Sequence, residues 1–105
     1  MNGMLIRPEL EISEEEIAAF CRRHHIRLLA VFGSVLRDDF GPESDVDVLV
    51  EFEPGKTPGF GFIDVQDELS ELFGGRTIDL GTRASLNRWI RAHVLSEAKV
   101  LYDAT

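Results

Sequence analysis

Two apolar runs separated by a short acidic loop restrict this chain more than any other feature of it. Residues 28–32 (LLAVF) form the first run, which breaks at Gly33-Ser34; a loop rich in Asp, Gly and Pro follows, and residues 46–52 (VDVLVEF) form the second. Runs of this length, rich in Val and Phe and bounded by turn residues, read as strands. In the second run, alternation puts Val46, Val48, Val50 and Phe52 on one face, which reads as core. Asp45 and Asp47 take the other face, about 6–7 Å apart at ~3.3 Å rise per residue. A Gly-Ser turn leaving one strand therefore stands beside two carboxylates opening the next. Such an arrangement can hold the phosphates of a nucleotide and the metal ions that accompany them.

The remaining segments supply the layers around this pair. Ser13 followed by Glu16 is a capping-box pair, with Ile12 and Ile17 at the hydrophobic-staple positions, so a helix begins here and ends near His25. Its apolar face is Ile17, Phe20, Cys21 and His24. His24 and His25, being adjacent, diverge by about 100° on a helix and cannot face one ion; they read as helix-terminal residues. Residues 34–37 have room for about one helical turn. Residues 53–61 (EPGKTPGFG) form a loop. Its Gly-Lys-Thr is not a P-loop: the earlier glycine of that motif would fall on Val50, and Pro58 prevents the helix that should follow.

Phe62, Val65, Leu69, Leu72 and Phe73 follow helical spacing, and Gly74 is placed to stop that helix. Residues 77–80 form a short third strand, with Ile78 and Leu80 on one face and Asp79 on the other. Leu86, Trp89, Ile90 and Val94 mark a last helix, around which Arg83, Arg88 and Arg91 read as a solvated face. Residues 100–102 are an edge strand or a docked tail, and residues 1–11 are expected to be partly loose. The order helix, strand, short helix, strand, helix, strand, helix predicts an α+β fold. Its small mixed sheet carries helices packed mainly on one side and leaves the carboxylate face open.

The 105 residues are expected to be one domain, with its core between about residues 12 and 102. A formal charge of −8 argues against direct binding of nucleic acid or an anionic membrane, either of which would need a basic face. No apolar run approaches the ~18 residues of a membrane span. The single cysteine, Cys21, excludes an intrachain disulfide and suits a reducing compartment, so the expected location is the cytoplasm.

Residues 38–53 hold seven carboxylates and no basic side chain. Placing Asp45 and Asp47 side by side raises the cost of ionising both unless a cation joins them. Mg²⁺ typically binds through one or two carboxylates plus substrate phosphates. Asp79, on the same non-core face if its strand is a neighbour, is the third such group, and three can bridge two ions spaced for in-line phosphoryl displacement. Asp45 and Asp47 then hold the nucleotide-side ion, and Asp79 completes the second site and helps to activate the attacking hydroxyl. Gly33 lets the backbone approach a phosphate, Ser34 adds its hydroxyl, and Arg37, about one turn further, reaches the same phosphates. Taken singly, an Asp-x-Asp is usually a solvated strand start and a Gly-Ser a turn; the conjunction points to a site.

Gly33-Ser34, Arg37, Ser44-Asp45-Val46-Asp47 and Ile78-Asp79-Leu80 together resemble the signature of the polymerase-beta-type nucleotidyltransferases. The short chain is similar to the minimal members of that superfamily in bacteria and archaea, many of which resemble the antitoxin half of a toxin–antitoxin pair. The resemblance implies the nucleotidyltransferase fold and Mg²⁺-dependent transfer of a nucleoside monophosphate, AMP from ATP as substrate, to a hydroxyl, with pyrophosphate leaving. It implies two Mg²⁺ ions held by the catalytic residues Asp45, Asp47 and Asp79, with the triphosphate at Gly33 and Ser34. It also implies a partner, a helical HEPN-type ribonuclease toxin neutralised by AMP added to a tyrosine. Whether the chain works as a homodimer or a hetero-oligomer stays open. Asp38 stands where members of the group carry glycine, which sets a negative charge beside the expected phosphates.

Other readings remain beside this one. A non-catalytic module could neutralise its partner by covering a basic RNA-binding face with acidic surface. Transfer to a small molecule would need a second, acceptor-binding domain, for which the chain has no room. Transfer to an RNA end would need a basic groove with stacking aromatics, whereas Trp89 falls on a core face.

Overall fold

The computed structural model describes residues 3–7, 10–36, 41, 44–56, 59, 61–82, 92 and 96–104, with side chains from residue 12 onward except those of residues 34 and 35. Strands β1 (Gly3–Arg7) and β2 (Leu10–Ser13) pair antiparallel as a separate two-stranded sheet, with an irregularity between Leu5 and Arg7. This corrects the expectation of a loose start. The two runs are too short for periodicity to register, and their regularity comes from pairing with each other rather than from intrinsic preference.

Helix α1 (Glu14–Arg23) begins where its capping pair places it. Ser13 Oγ accepts from the Glu16 N–H at 3.3 Å, and the staple residues Ile12 and Ile17 are both buried. Acidic Glu14, Glu15 and Glu16 occupy the first turn and basic Arg22 and Arg23 the last, complementing the helix dipole at both ends. His24 caps the helix and His25 turns the chain out of it with a left-handed φ of 58°. Both histidines are helix-terminal residues, as expected.

Strand β3 (Ile26–Phe32) runs into a 3₁₀ turn (Gly33–Leu36), followed by β4 (Val46–Phe52), helix α2 (Phe62–Leu72), β5 (Ile78–Thr82) and β6 (Lys99–Asp103). The sheet has the order β5-β4-β3-β6, with β3 antiparallel to both its neighbours and β4 parallel to β5. The parallel pair follows from α2, because parallel strands need a long crossover and a helix supplies one. The predicted C-terminal edge strand is β6. The architecture is α+β with a mixed sheet, as the order of elements predicts. The last helix, expected around Leu86, Trp89, Ile90 and Val94, and its arginines Arg83, Arg88 and Arg91 lie outside the described residues.

Both described helices cover one face of the sheet. Ile17, Phe20 and Cys21 of α1 and Val65 and Leu69 of α2 join Leu29, Val31, Val46, Val48, Val50, Ile78 and Leu80 in a single buried cluster. Each large side chain removed from water there contributes about 1.5–3 kcal/mol. Cys21 is one of these packing residues; burial pushes its thiol up to about 12, against the smaller opposing pull of Arg22.

The opposite face departs from the expected open surface. Ala30 and Leu49, paired across β3 and β4, are each only 1% exposed yet stand outside the core cluster. The carboxylate face is therefore covered at mid-sheet. Three apolar residues in succession, Val48, Leu49 and Val50, carry the sequence signal of a strand buried on both sides.

The two helices meet at a polar cluster. His24 lies against Phe20 with ring centroids 4.9 Å apart, and its Nε2 is 3.2 Å from Glu68 Oε1. Because an ionised carboxylate only accepts, this contact requires His24 Nε2 to carry the hydrogen. Burial, then the charge of Arg23, hold the His24 pKa below its usual 6.5. The charge of Asp64 opposes this and that of His25 adds to it, each a smaller effect, while Arg23 also pairs with the Glu68 carboxylate. The folded state thus takes up a proton at lower pH than the unfolded chain. His24 contributes stability that is present above pH 6.5 and lost as pH falls through its lowered folded pKa. The melting temperature should fall between pH 7.5 and pH 5.5, and a His24→Gln variant should show a smaller fall; an equal fall in both would remove His24 as its source.

Candidate active site

The parallel register of β4 and β5 sets Asp47 directly opposite Asp79, while Val46–Ile78 and Val48–Leu80 pair on the core side. Register partners leave a sheet on the same face, so both carboxylates emerge on the side away from the core. Asp47 is half-buried and Asp79 is exposed; Asp45, also exposed, stands one residue before β4 begins. Further along β4 on the same face, Glu51 pairs with Arg27, which gives that carboxylate a partner away from the Asp47–Asp79 end.

Gly33 closes the site from β3. The register pairs Phe32 with Asp47, and Gly33 then turns the chain with φ +77°. A β-carbon on Gly33 would lie 2.3 Å from Asp47 Oδ2 and 3.2 Å from its Cγ. Glycine is required here twice: for the left-handed backbone and for the space its missing side chain leaves to the carboxylate. The atoms nearest to that vacant β-carbon position are those of the Asp47 carboxylate.

A turn before β4 carries the chain into Asp45. The Ser44 N–H donates to the Gly41 carbonyl at 3.1 Å, and the Gly41 N–H donates to Ser44 Oγ at 2.9 Å. Arg76, which precedes β5, donates from Nη1 to the same Gly41 carbonyl at 3.3 Å. Its own carbonyl accepts from Ser70 Oγ of α2 at 2.5 Å. The Val46 N–H then donates to the Thr77 carbonyl at 2.9 Å, so the starts of the two parallel strands are tied together. Arg76 belongs to no sequence motif, and its contact with Gly41 spans 35 positions, so no local pattern in the chain signals it. The side chain of Ser34 and the whole of Arg37 and Asp38 lie outside the described residues.

Oxygen donors of this kind suit a hard divalent cation. Among the described residues, no group of three or more His, Cys, Asp or Glu side chains closes into a ready-made metal site. That is compatible with Mg²⁺, which takes one or two protein carboxylates and completes its shell with substrate phosphates and water. Asp47 and Asp79, set opposite each other, with Asp45 one residue before β4, offer carboxylate oxygens of the kind such an ion takes.

The family profile of the nucleotidyltransferase domain matches residues 14–102 of the chain, which include the Gly33 turn and all three aspartates. The chain belongs to this family. It is a nucleotidyltransferase. A protein adenylyltransferase MntA of Thermococcus cleftensis is 40% identical over 76 residues, covering 71% of this chain and 74% of that protein. A solved structure assigned as a minimal nucleotidyltransferase shares 34% identity, covers 82% of this chain and 86% of its own, and superposes with a TM-score of 0.67. A chain from a toxin–antitoxin complex crystallised with AMP-PNP also reaches a TM-score of 0.67, at 20% identity, with 86% of this chain and 73% of its own covered. At that identity the likeness bears on the fold alone. Among the described residues, no helix of the nucleotidyltransferase is long and apolar enough to cross a membrane.

Proposed function

We propose that this nucleotidyltransferase moves AMP from ATP to a hydroxyl of a partner protein, and that it is the antitoxin of a pair whose toxin is a helical HEPN-type ribonuclease. The observation that carries the chemistry is the register pairing of Asp47 with Asp79 beside a left-handed glycine whose missing side chain leaves room for the Asp47 carboxylate. The protein acceptor is supported by the adenylyltransferase relative, and the nucleotide and toxin by the fold-level likeness to a toxin–antitoxin complex holding AMP-PNP.

In this reading Asp45 and Asp47 hold Mg²⁺ on the nucleotide side, and Asp79 completes a second ion site. Bound there, Mg²⁺ offsets the phosphoryl charge and templates an in-line displacement. Gly33 and Ser34 receive the triphosphate, with Arg37 reaching the same phosphates. The acceptor oxygen bonds to the α-phosphorus as the bond from that phosphorus to the bridging oxygen breaks. Pyrophosphate leaves, and the hydroxyl proton passes toward Asp79. The cytoplasm, where ATP and Mg²⁺ are plentiful, is the compartment this chemistry fits.

Incubating the chain with adenine-labelled ATP, Mg²⁺ and the helical protein encoded beside it should label that protein. An unlabelled partner whose toxicity is nevertheless relieved would favour a second reading, neutralisation by occlusion. That reading is motivated by the chain's net charge of −8 and by the exposed Asp64, Asp67 and Glu71 along α2, which could cover a basic ribonuclease face. It predicts that relief survives replacement of all three site aspartates.

A further inference from the structure

We infer that Arg76 is a positioning residue of the nucleotide site, setting the turn that delivers Asp45 against the strand that bears Asp79. The inference rests on the reading of this site as a metal-dependent nucleotide site. Its starting point is that Asp45 precedes β4 and lacks the strand register that places Asp47 opposite Asp79. The Val46 N–H bond to the Thr77 carbonyl holds the residue after Asp45, and the segment before Asp45 needs a tie of its own.

The contacts of Arg76 supply that tie from both ends. Its carbonyl is held by Ser70 Oγ at 2.5 Å, and the same end of α2 is closed by the Gly75 N–H donating to the Ser70 carbonyl at 2.9 Å. The backbone of Arg76 is thus tied to a helix whose residues Val65 and Leu69 are core. From that base its guanidinium donates to the Gly41 carbonyl at 3.3 Å, an oxygen that also accepts from the Ser44 N–H. Gly41 and Ser44 are the two ends of the turn, and Ser44 is bonded directly to Asp45. One cation thus joins the approach to β4 with the approach to β5, and it brings positive charge to a stretch that holds seven carboxylates and no basic residue between positions 38 and 53. A carbonyl bonded by a charged donor is held more strongly than by a neutral one. Residues that orient metal-binding carboxylates without touching the ion typically matter about 10- to 100-fold in affinity or activity.

The test compares the full chain with Arg76→Gln, Arg76→Lys and Ser70→Ala. Amide hydrogen exchange at Ser44 reads the turn, and titration with Mn²⁺ plus a non-hydrolysable ATP analogue reads the site. Arg76→Gln should keep a cooperative melt, exchange faster at Ser44 and bind the Mn²⁺–nucleotide pair about tenfold more weakly. Arg76→Lys, which keeps a charged donor, should recover part of both effects. Should Arg76→Gln fail to fold, Ser70→Ala, which frees only the Arg76 carbonyl, must show the same two changes in milder form. Unchanged exchange and unchanged affinity in the folded variant would overturn the positioning role, as would faster exchange with wild-type affinity. A wild-type chain that binds no Mn²⁺–nucleotide pair would instead remove the nucleotide reading beneath it.

Discussion

Replacing Gly33 with alanine should abolish most of the transfer activity and destabilise the fold, whereas the same change at Gly55 should do only the second, and mildly. The two glycines share a φ of +77°, so alanine meets the same backbone strain at each, of order 1–3 kcal/mol. Their surroundings differ. Nothing lies within 4 Å of a β-carbon built on Gly55, while one on Gly33 would fall 2.3 Å from Asp47 Oδ2. Asp47 cannot hold its place against that contact and must swing away from Asp79 or push the turn outward. Displacing a reacting-site group by about 1 Å can cost on the order of 10²-fold in rate, and that is the expected loss. Thermal melting and partner labelling of both variants check this. Equal melting with equal activity loss would put the effect in the backbone alone, and full activity in Gly33→Ala would mean that Asp47 does not act from the position seen here.

The larger effect is expected from the aspartates themselves. Asp45 and Asp79 are both exposed, and surface substitutions away from special features usually move stability by no more than about 0.5 kcal/mol each. A double Asp45→Asn, Asp79→Asn variant should therefore melt close to the wild-type temperature. It loses one carboxylate from each proposed ion site while keeping side chains of nearly the same shape. Removing preorganised charge stabilisation from a phosphoryl transfer should lower labelling by about 10³-fold or more. Raising Mg²⁺ should recover little, because the lost ligands are charged and their amide replacements are not. A variant that labels its partner at the wild-type rate would end the assignment of these residues. Loss of labelling with full relief of toxicity would separate catalysis from neutralisation and leave occlusion as the antitoxin mechanism.

Much of this protein is local and was legible in the chain. The Ser13–Glu16 cap, the Ile12–Ile17 staple, the Gly74 stop and the alternation of Val46, Val48 and Val50 act over a few residues, where hydrogen bonding and side-chain periodicity leave little choice. They sufficed to mark out α1, β3, β4, α2 and β5 and to nominate Asp45, Asp47 and Asp79. What required the tertiary structure was each relation across many positions: the β1–β2 pairing, the Ala30–Leu49 cover on the second face, the contact of Arg76 with Gly41, and the fact that Gly33 makes room for Asp47. Asp79 could be named from the chain, but its place opposite Asp47 depends on which strand β5 joins and in what register. That choice belongs to packing, since the apolar faces of α2 and the two parallel strands must be buried together, and a one-residue slip of β5 would turn Ile78 and Leu80 out of the core and Asp79 into it.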